Sequence, residues 1–209
     1  MLATGCVKKL IVAHSLSKIP KALMKLIILD RDGVINHDSD NYIRSPEQWI
    51  ALPNSIQAIA DLCKAGYKVA LATNQSGIGR GYYSLQTLHA MHQKMQALVH
   101  AVGGEITAIA YCPHTPDEHC KCRKPAPGML LTLLEGHSAT DSDTWFVGDS
   151  LRDLEAAWAI NMQAALVKTG KGQSTLDRGV VPQETPIFSD LAHFTRNLLD
   201  PSCDFLTDT

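Results

Sequence analysis

No apolar run in the sequence approaches the 18 or more residues that a membrane-spanning helix needs, so no membrane partner is expected. There is no basic excess either. Lys+Arg of 19 against Asp+Glu of 21 leaves a formal net charge of -2, whereas a general binder of nucleic acid or anionic lipid carries a positive surplus. Internal repeats and low-complexity linkers are missing, and 209 residues correspond to one domain with additions. A disulfide framework is also not in prospect. Of six cysteines, Cys112, Cys120 and Cys122 fall in one eleven-residue stretch while Cys6, Cys63 and Cys203 are scattered. Disulfide frameworks belong to smaller secreted chains. Clustered thiols here point to a metal and a reducing compartment, hence to the cytoplasm.

A secretory signal is not evident. Residues 1–23 carry Lys8, Lys9, Lys18 and Lys21 around a short Leu10-Ile11-Val12-Ala13 run, with too small an apolar core and no clear cleavage site. Met24-Lys25 leads directly into the first strong strand. The expected organisation is therefore an N-terminal extension over 1–23 that precedes the natural start, one catalytic domain over 24–200, and a polar tail over 201–209.

What is present is an alternation of strands and helices. Lys25 to Leu29 is an unbroken apolar run suited to a strand buried on both faces. Asn54 or Ser55 caps a helix whose Ile56, Ile59, Ala60 and Cys63 share one face, making Cys63 a buried thiol, and Gly66 stops it. Strands follow at Lys68–Thr73, Ile106–Tyr111, Thr144–Gly148 and Ala164–Lys168. Between and after them the pattern predicts helices from Ser84 (Leu85, Leu88, His92, Met95 and Val99 at core spacing), over Pro127–Glu135, over Leu151–Ile160 and over Asp190–Leu199. This order predicts an α/β, three-layer αβα architecture with a central parallel sheet.

In such sheets ligands bind beyond the carboxyl ends of the strands. Four strand ends carry chemistry: Asp30 and Asp32, Thr73 and Asn74, Arg123 and Lys124, and Asp149 and Asp153. Acids gathered at one edge repel unless a cation intervenes, and hard oxygen ligands suit Mg²⁺. A bare Asp30-Arg31-Asp32-Gly33 is equally an Asx-turn that ends a strand. An EF-hand loop is excluded, because the glycine comes too early and no Glu follows in place. The cysteine loop has its own logic. Cys112, Cys120 and Cys122, with His114 or His119 as the fourth ligand, supply what a closed tetrahedral Zn²⁺ site requires.

Taken together, Asp30-Arg31-Asp32-Gly33-Val34-Ile35-Asn36, Thr73-Asn74-Gln75-Ser76-Gly77-Ile78-Gly79-Arg80-Gly81, Cys112-Pro113-His114, Cys120-Lys121-Cys122-Arg123-Lys124-Pro125 and Gly148-Asp149-Ser150-Leu151-Arg152-Asp153 resemble the motifs of the haloacid dehalogenase superfamily. Within it they resemble the phosphatases of heptose 1,7-bisphosphate. The resemblance covers about Lys25 to Thr169. It implies a Rossmann-like fold without a large cap, and Mg²⁺-dependent removal of the 7-phosphate through an aspartyl-phosphate. In those enzymes the reaction supplies ADP-heptose for lipopolysaccharide core.

By the same resemblance Asp30 is the nucleophile, Asp32 the general acid and base, and Thr73 and Lys124 hold the phosphoryl oxygens. Asp32 is then expected to keep its proton, sustained by a neighbouring carboxylate. Mg²⁺ falls to Asp30, the Asp32 backbone carbonyl and Asp149, while Asp153 orients Lys124 or the metal shell. Zn²⁺ falls to Cys112, His114, Cys120 and Cys122 in a structural site. Asn36, Asp38, Tyr42, Asn74, Gln75, Ser76 and Arg80 contact the sugar, and Arg123, with its planar fork, takes a second phosphate. The partner is a small sugar bisphosphate, and the chain is expected to be a monomer. Histidinol-phosphate phosphatase, with the same zinc loop, is the competing activity. From another class comes a zinc-stabilised nucleic-acid-binding module, disfavoured by the charge balance.

Overall fold

The structure is a computed structural model; it describes residues 25–200, Ser202 and the backbone of Lys8–Ile11. The expected start at Met24, the rest of the extension, the remainder of the tail, Cys6 and Cys203 lie outside the described residues.

Strand β2 (Leu26–Leu29) is entirely buried and forms the middle of the sheet. It is flanked by β3 (Lys68–Asn74) on one side and β5 (Thr144–Gly148) on the other, both parallel to it. Outward from these lie β4 (Ile106–Cys112), β6 (Gln163–Val167) and the two-residue β7 (Ile187–Phe188), also parallel. One further strand, β1 (Lys8–Ile11), pairs antiparallel with the outer edge of β4. The order is β1-β4-β3-β2-β5-β6-β7: six parallel strands plus one antiparallel edge strand that falls within the stretch expected to be an extension.

Successive side chains of a strand point to opposite faces, and the core divides accordingly. Ile27, Leu29, Val69, Leu71, Ile109 and Val147 pack on one side with helices α1 (Ser55–Lys64), α2 (Leu85–Ala101) and α6 (Leu191–Leu199). Leu26, Ile28, Ala70, Ala110 and Phe146 pack on the other with α3 (Gly128–His137) and α4 (Leu151–Trp158). Short α5 (Gly172–Asp177) contributes Leu176 to this second side. The three-layer architecture follows, and among the described residues no separate cap domain rises over the strand ends.

Two local details depart from the sequence pattern. Asn54 stands at the start of α1 in the left-handed region (φ 61°) without a side-chain cap, while the Ser55 hydroxyl donates to the carbonyls of Ile35 and Leu52. Cys63, expected to be buried, is only half-buried. Its thiol reaches the Glu105 carbonyl at 3.3 Å on the helix flank.

Candidate active site

Because all six parallel strands run the same way, their carboxyl ends open on one edge, and a pocket forms there. Asp30 follows β2, Thr73 and Asn74 end β3, Arg123 and Lys124 follow the loop after β4, and Asp149 follows β5. All line that pocket, as do Asp32, Asp38, Tyr42, Gln75 and Ser76.

At its floor lies a fully buried ammonium. Lys124 Nζ donates to the Ala72 carbonyl at 2.8 Å and forms ion pairs with Asp30 Oδ1 at 2.9 Å and Asp153 Oδ1 at 2.7 Å. Burial pulls its pKa down, but Asp153 and Asp30 more than offset this and hold it above the ordinary lysine value. Asp153 is itself fixed, since its other oxygen accepts from the Ser150 backbone N–H and hydroxyl, capping α4. The Lys124 main chain is held by Asn74, whose side-chain amide and the Lys124 backbone exchange two hydrogen bonds of 3.1 Å.

Ligand oxygens of Asp30, Asp149 and Asp153 lie within 4.8 Å of one another. Burial pushes Asp30 up to about 6, with Lys124 opposing and Asp153 and Asp32 adding to the rise. Burial likewise holds Asp149 well above the usual carboxylate range, reinforced by Asp153 and Asp30. Crowded, desolvated acids of this kind are a donor set that fits a hard divalent cation, which would supply the missing opposite charge. Close packing aims Asp149 inward. A Cβ on Gly33 (φ 83°) would stand 2.0 Å from Asp149 Oδ2, and one on Gly170 (φ 57°) 2.2 Å from it. Asp149 also accepts the Lys171 backbone N–H at 2.8 Å.

Asp32 is held by donors from several elements. Arg31, side chain 1% exposed, donates to both of its oxygens, at 2.9 Å each from Nη2, and Asn36 and Gln75 donate at 2.8 and 2.9 Å. Asp32 thus stands as an acceptor held by a guanidinium.

Two residues expected at the sugar do not line this pocket. Asn36 is fully buried and bonds Asp32, and Arg80 is exposed on the loop after β3. Conversely, Arg31, Asp40, Tyr83, Ser150, Arg152 and Lys171 line the pocket without having been singled out. Lys171 was findable. It follows β6 as the other groups follow their strands, and its Nζ lies 3.4 Å from Asp38 and 3.5 Å from Asp40.

Beside the pocket the cysteine loop closes on itself. The Sγ atoms of Cys112, Cys120 and Cys122 lie 3.4–3.5 Å apart, and His114 Nδ1 is 3.5 Å from Cys112 and 3.3 Å from Cys122. A tetrahedron with corners 2.0–2.3 Å from its centre has edges of about 3.3–3.8 Å, so the four atoms fit Zn²⁺. His119, the other candidate ligand, is not in the cluster. Arg123 Nη1 donates to the His114 carbonyl at 3.2 Å, joining the loop to the pocket.

The parallel sheet, the acid–lysine floor and the pocket at the strand ends define a phosphoric monoester hydrolase of the HAD type, and a HAD-hydrolase-like family model matches residues 121–194. More extensive similarity lies with individual proteins. The D-glycero-beta-D-manno-heptose-1,7-bisphosphate 7-phosphatase of Pseudomonas putida is 59% identical over 176 residues, 84% of this chain and 100% of its own length. The Neisseria meningitidis protein of the same name is 51% identical over 178 residues, 84% of this chain and 95% of its own. A crystal structure of D,D-heptose 1,7-bisphosphate phosphatase from B. bronchiseptica, complexed with magnesium and phosphate, superposes with a TM-score of 0.83 at 49% identity, covering 85% of this chain and 99% of that one. The chain belongs to the heptose-1,7-bisphosphate 7-phosphatase family of HAD hydrolases.

Proposed function

We propose that the protein removes the 7-phosphate of D-glycero-β-D-manno-heptose 1,7-bisphosphate, releasing heptose 1-phosphate and inorganic phosphate in the supply of lipopolysaccharide core precursor. The observation that carries this reading is the pairing of Asp30 with a buried Lys124 at the floor of a pocket that Asp32 also lines. The similarity to phosphatases of that substrate accompanies it.

Asp30 attacks the phosphorus of the 7-phosphate, and the bond from phosphorus to the sugar oxygen breaks, leaving an aspartyl-phosphate. Asp32, having first taken up a proton, delivers it to the departing oxygen. It then accepts one from the water that cleaves the aspartyl-phosphate. Lys124, bonded to the Ala72 carbonyl and ion-paired with Asp30 and Asp153, acts on the phosphoryl group as a nearby point charge. The Thr73 hydroxyl supplies a directed hydrogen bond. Asp30, Asp149 and the Asp32 backbone carbonyl would hold Mg²⁺, which would neutralise charge on the phosphoryl oxygens. Cys112, His114, Cys120 and Cys122 would hold Zn²⁺, which would fix the loop that presents Arg123 and Lys124. Arg123, with Asp38, Tyr42 and Ser76, meets the rest of the bisphosphate. The pocket is lined from one chain, which supports a monomer, and the clustered thiols of the cysteine loop support a cytoplasmic enzyme.

Initial rates of phosphate release from the α and β heptose 1,7-bisphosphates and from histidinol phosphate test this. The β anomer is expected to give the highest kcat/KM, and a higher value for histidinol phosphate overturns the reading. Asp30→Asn is expected to fall below about a thousandth of wild-type turnover with an unchanged melting temperature.

A further inference from the structure

Gln75 ends the β3 turn with only 2% of its surface exposed, and four polar groups meet its side chain. Arg31 Nη2 lies 3.2 Å and the Tyr83 hydroxyl 2.6 Å from Oε1, while Nε2 lies 2.9 Å from both Asp32 Oδ2 and Thr73 Oγ1. The orientation of this amide is forced. A guanidinium can only donate, so the atom facing Arg31 must be the carbonyl oxygen. The reversed amide would set Nε2 against Arg31 and Oε1 against the Asp32 carboxylate, a clash of like partners on both sides. Burial pushes the Tyr83 phenol up to about 12, so it keeps its proton and donates to the same oxygen.

The consequence reaches the reacting groups. With the amide fixed, its two hydrogens go to Asp32 and to Thr73. A threonine hydroxyl has one hydrogen and two lone pairs. Because Thr73 Oγ1 accepts from Gln75, its own hydrogen is left to point elsewhere, and it donates to no protein group among the described residues. The open side is the pocket, which Thr73 lines.

We propose that Gln75, locked by Arg31 and Tyr83, is a positioning residue that turns the Thr73 hydroxyl hydrogen toward the phosphoryl group and holds the Asp32 carboxyl for proton transfer. Its side chain serves the reaction through these two groups and not as a contact to the sugar. The proposal deepens the phosphatase reading above and rests on it.

Gln75→Glu is the sharpest test because it keeps the shape. The new carboxylate still accepts from Arg31 and Tyr83, but it now also accepts from Thr73, reversing that hydroxyl, and it repels Asp32. Tyr83→Phe is the milder variant, removing one hydroxyl that holds the amide. Each is assayed on the heptose bisphosphate, whose leaving alkoxide needs an acid, and on p-nitrophenyl phosphate, whose leaving group does not. Gln75→Glu is expected to lower kcat on the sugar phosphate by about a hundredfold and on the aryl phosphate about tenfold, and Tyr83→Phe to follow with smaller losses in the same ratio. In a Thr73→Val background, Gln75→Glu is expected to cost clearly less on the aryl phosphate than it costs alone, since no hydroxyl remains to be turned and only the Asp32 base step is still disturbed. Equal losses on both substrates, additive losses in the double variant, or wild-type kinetics throughout would overturn the proposal. Wild-type enzyme that fails on the heptose bisphosphate but cleaves the aryl phosphate would instead overturn the substrate reading, and the aryl-phosphate cycle would still decide the role of Gln75.

Discussion

At the scale of single residues, the floor of the site is a charge arrangement that depends on the Lys124 ammonium. Asp30 and Asp153 share one buried ammonium, and removing it leaves two desolvated carboxylates facing each other. Lys124→Met is therefore expected to lower the unfolding free energy by about 3–5 kcal/mol, read from denaturant titration, and to eliminate phosphate release. Gly33 is a second such point. Its positive φ and its contact with Asp149 leave no room for a methyl group. Gly33→Ala is expected to displace the Asp149 carboxylate and raise the Mg²⁺ concentration for half-maximal activity by at least about tenfold, with zinc content unchanged. The residues that carry charge at strand ends could be read from the sequence because the strand-end rule needs only strand boundaries. Orientation could not. Asn36 and Gln75 both donate to Asp32, and nothing in a one-dimensional pattern shows which polar side chains of a strand-end segment bond a neighbouring carboxylate.

At the scale of elements, long apolar strands and periodic helices were legible, and short polar ones were not. β7 has two residues behind Pro186, and α5 has six, beginning at a glycine and carrying Leu176 as its one apolar side chain. Neither offers enough positions for a period to show. β1 was hidden for another reason, since its apolar run is as short as that of a leader segment and its partner, β4, is distant in sequence. Helix α2 carries a testable consequence. His92 on its inner face is fully buried, and burial, with Arg31 and His89 nearby, holds its pKa well below the ordinary histidine value. The unfolded chain then binds a proton that the folded chain refuses. Stability is complete above about pH 6.5 and declines as the pH falls below it. His92→Leu is expected to flatten the decline in melting temperature between pH 7.5 and 5.5. The cysteine loop is likewise tied to the site, through Arg123 and the Asn74–Lys124 pair. Cys122→Ser is expected to strip zinc, measured as metal per chain, and to raise KM for the bisphosphate along with lowering the melting temperature.

At the scale of the whole molecule, every residue placed in the reaction lies between Asp30 and Asp153, on the sheet edge formed by the parallel strands. A chain beginning at Met24 is thus expected to retain its kcat/KM, although the β4 edge that β1 covers becomes open. The junction beside Asp149 has a broader implication. Gly33 and Gly170 pack against each other and against that carboxylate, and the Thr169 hydroxyl bonds the Gly33 carbonyl across 136 positions of sequence. Contacts of such separation carry a high loop-closure entropy, and folding routes that depend on them are slow. Recovery of phosphatase activity after dilution from denaturant is expected to trail the return of helical circular dichroism, which makes turnover itself a clock for the last step in which the two ends of the domain meet.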